Sequence, residues 1–110
     1  MANPNGAKGS LFEGQLVPLV SQYYPHSIRM PKQGAKDLGD LHMPGNNLYV
    51  VEAKNRKVLA LPEWLHEAEV EAANKGVPYG VVVHKRRGTQ DPAKQYATME
   101  FGQWLALVHR

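Results

Sequence analysis

The chain has 110 residues, 43% of them hydrophobic and 21% charged, and a formal net charge of +3. That length suits one domain around one core, and the composition is that of a globular protein instead of a disordered segment. It contains no cysteine, which excludes disulfides, thiol catalysis and cysteine-based zinc sites.

Met1 to Ser10 is polar and rich in Gly and Asn, with no apolar stretch of signal-peptide length, and no later apolar run could cross a bilayer. The expectation is a soluble, cytoplasmic protein with no membrane partner, made of one domain over 1–110 with residues 1–9 as a flexible leading segment. Helical spacing of Phe12, Leu16, Leu19, Val20 and Tyr23 predicts a first helix from Ser10 to about Tyr24. Ser10-Leu11-Phe12-Glu13 fits a capping box at its start. Pro18 cannot donate to the Gly14 carbonyl and should kink the helix. Ser27 to Met30 reads as a short strand, and Pro31 to Asp37 as a basic loop.

Leu38 to Met43 alternates apolar and polar residues, Pro44 to Asn47 carries turn chemistry, and Leu48 to Lys54 is rich in strand formers, which together predict a β-hairpin. A second helix should run from Pro62 to about Lys75, ahead of Gly76, with Trp64, Ala68 and Ala72 as its apolar line. Tyr79 to His84 reads as a buried strand, Lys85 to Lys94 as a polar loop, and Gln95 to Glu100 as another short strand. Phe101, Trp104, Leu105 and Val108 have the spacing of a final helix. The predicted order is α-β-β-β-α-β-β-α, an α/β (α+β) fold with a mixed sheet flanked by helices.

The hairpin carries the chemistry. Alternation puts Leu48, Val50, Glu52 and Lys54 on one face, with Glu52 and Lys54 roughly 7 Å apart and the Ala53 carbonyl between them. If the loop is Gly45 to Asn47, Asp40 lies directly opposite Glu52 and Asp37 points to the other face. A loop one residue longer shifts that register. Two facing carboxylates repel unless a proton or a cation lies between them, and a divalent ion with oxygen ligands removes the conflict. The competing reading is two unrelated surface carboxylates, with Lys54 pairing one of them.

Gly39-Asp40, followed twelve residues later by Glu52-Ala53-Lys54 on an apolar strand, resembles the D…(D/E)xK signature of the PD-(D/E)xK nucleases, with Gly39 in place of the proline. Lys8-Gly9, Glu13, Leu16-Val17 and Arg29 resemble the opening of archaeal-type Holliday junction resolvases. Asp37-Leu38-Gly39-Asp40 with Lys85-Arg86-Arg87-Gly88 is similar to small phage-borne resolvases, which implies a phage protein acting in a host cytoplasm. The resemblance implies a restriction-endonuclease-like fold and a structure-selective DNA endonuclease that hydrolyses phosphodiester bonds to leave 5′-phosphates. Asp40, Glu52, the Ala53 carbonyl and Glu13 would hold Mg²⁺, with Mn²⁺ able to substitute, and Lys54 would assist. Two other readings remain open: a nicking, repair or flap nuclease of the same fold, and a basic module that binds DNA without cutting it.

Outside the Glu63–Glu71 segment, 13 basic residues face six acidic ones, an excess suited to branched or duplex DNA. Backbone contacts are assigned to Arg29, Lys32 and Lys36 beside the hairpin and to Lys85, Arg86 and Arg87 at the mouth of the core strand. Glu63, Glu67 and Glu71 read as a solvated helix face. His42, on the predicted face of Asp40, is a candidate neighbour of the site. A four-way junction is two-fold symmetric and needs two cuts, so a homodimer is expected; the final helix is a candidate interface, although packing on its own sheet is the simpler role.

Overall fold

The computed structural model describes residues 4–31 and 36–110. Its elements, in chain order, are α1 (Pro4–Ser21), β1 (Ile28–Arg29), β2 (Leu41–His42), β3 (Tyr49–Lys54), α2 (Leu61–Lys75), β4 (Tyr79–His84), a 3-10 turn at Pro92–Lys94, β5 (Tyr96–Thr98) and α3 (Phe101–Val108). The fold is mixed α/β, with two small sheets. One is the β1-β2 pair and the other is three-stranded in the order β3-β4-β5.

The three-stranded sheet is mixed. β3 and β4 run parallel, from Tyr49 opposite Tyr79 to Lys54 opposite His84, and are joined through α2; β4 and β5 run antiparallel. A parallel pair needs such a crossover, and the helix it supplies covers one face of the sheet. On that face Trp64 and Ala68 of α2 pack on Val82. On the other, Phe12 and Leu16 of α1 pack with Leu41, Met43, Val51 and Ala53. β3 therefore has a split allegiance: Val51 and Ala53 face α1, while Val50, Glu52 and Lys54 face α2.

Helix α1 begins upstream of the expected start. Residues 4–9 belong to it, Ser10 is an interior position, and Glu13 does not act as a capping residue. The helix runs through Pro18 because Gly14 and Pro18 both lie on the exposed side, where water can satisfy the freed carbonyl. Helix α2 matches its sequence signals, with proline in its first turn and a left-handed Gly76 whose N–H donates to the Ala72 and Ala73 carbonyls.

The expected hairpin does not form as a ladder. β2 pairs with β1, Ile28 opposite His42 and Arg29 opposite Leu41, and not with β3. Asn46 explains the difference. After the tight Pro44-Gly45 turn, the buried Asn46 side chain accepts from the Leu48 and Tyr49 N–H groups and donates to the Tyr49 carbonyl. The Tyr49 N–H and carbonyl face the outer edge, where a hairpin would have committed them to β2. Helix α3 also departs from expectation. Gln103 ties it to the body by accepting from the Gly80 N–H at 3.2 Å, yet Phe101, Trp104, Leu105 and Val108 stay between 38% and 73% exposed, so its apolar stripe is not packed on the sheet.

Candidate metal centre at the edge of strand β3

Asp40 reaches Glu52 without a hairpin. Its N–H donates to the Val51 carbonyl at 2.9 Å, and its own carbonyl accepts from Met30 N–H at 2.8 Å. The residue thus links the two sheets along the free edge of β3. Its Oδ2 then accepts from the Ala53 N–H at 2.7 Å. The connection is so close because Gly39 has φ +95°, and a Cβ there would stand 3.2 Å from the Val51 carbonyl oxygen and 3.3 Å from Val50 Cβ.

From this edge position Asp40 interacts with acids on both sides of the sheet, Glu13 from α1 and Glu52 from β3. Both are buried, at 9% and 5% exposure. These residues line a cleft of about 280 Å³ together with Asp37, Ala53, Lys54, Asn55, Arg56 and Glu67. The four side chains expected at the site, Glu13, Asp40, Glu52 and Lys54, therefore meet in one cavity. Ala53 lies among them, its carbonyl on the same outer edge of the strand as its N–H.

The electrostatics are those of crowded acids. Burial first, then the neighbouring Asp40 and Glu71 carboxyls, pushes Glu52 up to about 12. Burial and Asp40 likewise raise Glu13, against the lowering pull of Arg29. Burial alone would lower the Lys54 pKa, but its hydrogen bond to Glu67 and the fields of Glu52, Glu67 and Asp40 outweigh it and hold the ammonium charged. Lys54 Nζ lies 2.9 Å from Glu67 Oε2 and 6.0 Å from the centre of the Trp64 ring.

Three acids sit differently from the expectation. Asp37 does not point away; one of its oxygens groups with an oxygen of Glu52 and one of Glu71, all within 4.8 Å of one another. Glu71 is not on a solvated face, being 2% exposed. Among the described residues no amide, hydroxyl, ammonium or guanidinium group reaches either of its carboxylate oxygens. Its polar neighbours are carboxyls, which can share a proton or a cation with it. Burial, reinforced by Asp37 and Asp40 and partly offset by the bond with Glu52, pushes it up to about 8. The signal was present in the spacing: Glu71 follows Trp64 by seven residues and Ala68 by three, on the buried stripe of α2. Glu67 is likewise part of the cleft, as the partner of Lys54.

The basic residues are arranged differently from the expectation. Arg29, itself exposed, donates from Nε to Glu13 at 3.0 Å and from a terminal nitrogen to Ser10 Oγ at 3.0 Å, so its guanidinium neutralises a cleft acid. Lys85 is tied down within its own loop, donating to the Arg86 and Thr89 carbonyls. Arg86 is exposed and stacks 5.8 Å from the Tyr96 ring. Arg87, also exposed, donates to Asn55 Oδ1 at 3.0 Å, which sets it at the rim of the cleft beside Arg56, a residue the sequence did not single out. Lys36 is exposed, and Lys32 lies outside the described residues. His42 is exposed and does not line the cleft.

Among the described residues no helix is long and apolar enough to cross a membrane. Comparison with protein-family models, with curated proteins and with solved structures gives no match to this chain.

Proposed function

We propose that this chain is a metal-dependent DNA endonuclease of the PD-(D/E)xK type. The observation that carries the reading is the convergence of Asp40 and Glu52 at the free edge of β3, with Asp40 held by the Ala53 N–H at 2.7 Å and Lys54 lining the same cleft. Acids buried this close are unfavourable without a cation or protons, and an all-oxygen donor set suits Mg²⁺ or Mn²⁺. Asp40, Glu52 and the Ala53 carbonyl are the groups that would hold the ion, with Glu13 next to Asp40. When bound, it would neutralise charge gathering on a phosphate and acidify the water used for hydrolysis.

The remaining roles belong to the protein. The Ala53 N–H fixes the Asp40 carboxylate. Arg29 balances Glu13, so that the cleft does not carry every acid uncompensated. Lys54 keeps a charged ammonium beside Glu52, suited to stabilising a phosphate or positioning water, while Glu67 holds it in place. The motif resemblance extends the reading to a junction-selective resolvase leaving 5′-phosphates. On a two-fold symmetric junction a homodimer would supply the second site, and the exposed stripe of α3 is the candidate contact surface.

The test is incubation of the protein with a labelled four-way junction, a flap and a linear duplex, each with Mg²⁺ and with EDTA. Paired symmetric nicks in the junction, seen only with Mg²⁺, are expected. Single-strand cuts in the flap would move the assignment to a repair nuclease, and tight binding with no cutting would refute the hydrolytic reading.

A further inference from the structure

We propose that Asp37, Glu52 and Glu71 form a divalent-cation site of their own, inward of the Asp40 site and sharing Glu52 with it. The site turns on Glu71. It projects from the buried stripe of α2 beside Ala68 and Ala72, is 2% exposed, and neither oxygen meets an amide, hydroxyl, ammonium or guanidinium donor among the described residues, its polar neighbours being carboxyls. A buried carboxylate whose only polar neighbours are other carboxyls is strongly disfavoured unless a proton or an ion is shared among them.

The surroundings favour an ion. One oxygen each from Asp37, Glu52 and Glu71 lies within 4.8 Å of the other two. Ligands on opposite sides of an ion bonded at about 2.0–2.6 Å are twice that distance apart, so these three fit around a common centre. They come from three separate segments: the loop before β2, the strand β3 and the helix α2. The donors are all carboxylate oxygens, which selects a hard cation such as Mg²⁺, Mn²⁺ or Ca²⁺ over zinc or copper. Access exists, because Asp37 is exposed and lines the same cleft as Asp40 and Glu52. The carboxylate of Glu52 has two oxygens and can serve an ion on each side. The consequence is a two-ion centre in which α2 contributes a ligand, so the position of that helix becomes part of the metal chemistry.

The inference rests on the nuclease reading for the outer ion, and the experiment separates the two. Bound Mn²⁺ is counted on the full chain without DNA, by the loss of the free-ion paramagnetic resonance signal. Wild type, E71Q, D37N and D40N are compared, and each variant is first checked for a cooperative thermal transition. The expected result is two ions per wild-type chain and one in each variant, with E71Q and D37N weakening the same site at least about tenfold. D37N, at an exposed position, keeps the test open if E71Q does not fold. One ion in wild type, unchanged in E71Q and D37N but lost in D40N, overturns the inner site and leaves the outer one. One ion lost in E71Q but kept in D40N supports the inner site and overturns the outer assignment. No bound ion in wild type overturns both.

Discussion

Glu52 is where the opposing demands on this cleft meet. It sits on the α2 face of β3, yet Asp40 reaches it around the strand edge, so its carboxyl has acidic neighbours on two sides and is pushed up to about 12. E52Q keeps the shape and the hydrogen-bonding capacity while removing the charge that an ion would need. Cleavage should fall at least about a hundredfold, since even outer groups at metal sites cost 10–100-fold, while junction binding measured by gel shift should change little. Near-wild-type cutting would rule out Glu52 as a ligand. The same crowding sets how the metal-free protein responds to pH. Glu71 is pushed up to about 8 and Glu52 further, with Glu13, Asp37 and Asp40 adding acid from α1 and the preceding loop, while Lys54 opposes them from β3, Arg29 offsets Glu13 and Arg56 lines the same cleft. Folded pKa values above the unfolded value of about 4.3 mean that the native state holds these protons more tightly. Their stabilisation is complete below that value and is lost as pH rises, through about 8 for Glu71 and beyond it for Glu52. In EDTA the melting temperature should therefore drop between pH 5 and pH 9, and Mn²⁺ added at pH 8.5 should restore it. A flat profile would mean that these carboxyls are not perturbed by folding.

At the level of elements, two glycines hold the site in register. Gly39 allows the Asp37–Asp40 segment to lie against β3, and its φ of +95° is closed to the proline that gives the nuclease motif its name. G39A should cost about 1–2 kcal/mol from the left-handed backbone and should lift Asp40 off Ala53. Misplacement of about 1 Å is enough to cost a hundredfold in rate, so cleavage should fall much further than stability. Gly80 brings α2 onto β4, where a Cβ would come within 2.6 Å of the Ala68 carbonyl group. G80A should cost about 1–3 kcal/mol and lower the melting temperature by about 4–8 °C for each of them. Because α2 carries Glu67 and Glu71, it should also weaken Mn²⁺ binding; a destabilised G80A with wild-type Mn²⁺ affinity would separate the helix from the site. The elements were legible where one periodicity decided them, as with Tyr79–His84 between two helices and α2 between its proline and Gly76. The hairpin was not, because its pairing turned on the Asn46 side chain competing for backbone groups. Asp40 still arrived beside Glu52, since a side-chain bond to Ala53 replaced the expected ladder. Glu71 was missed because Glu63, Glu67 and Glu71 recur every four residues and suggested a polar stripe, whereas the helix turns Glu71 toward the core and Glu67 toward Lys54.

Across the described residues, charge is segregated in a way that bears on the proposed DNA substrate. Acids gather inside the cleft, while Arg56 and Arg87 stand at its rim and Arg86 projects from the same loop as Arg87. A phosphodiester entering the cleft would meet the rim cations first and the acids, with their ion, at the reacting position. This division also revises which basic residues suit the proposed DNA surface. Arg29 is committed to Glu13 and Ser10, and Lys85 to two backbone carbonyls, so neither is free to meet a phosphate without giving up an internal bond. Arg86 and Arg87 are exposed and adjacent, Arg87 with a single bond to Asn55, and replacing both by alanine removes two proposed phosphate partners while leaving the loop hydrogen bonds of Lys85 in place. Each phosphate contact contributes about 0.9 to the slope of log affinity against log salt on duplex DNA. R86A combined with R87A should therefore weaken junction binding at low salt and reduce that slope by up to about 2, with little change in cleavage at saturating protein. R29A makes the contrast: it should leave the slope nearly unchanged and lower the cleavage rate instead, because Glu13 loses its counter-charge inside the cleft. Equal slopes for the double variant and the wild type, measured by titration between 50 and 200 mM salt, would remove the Arg86–Arg87 loop from the DNA-binding surface.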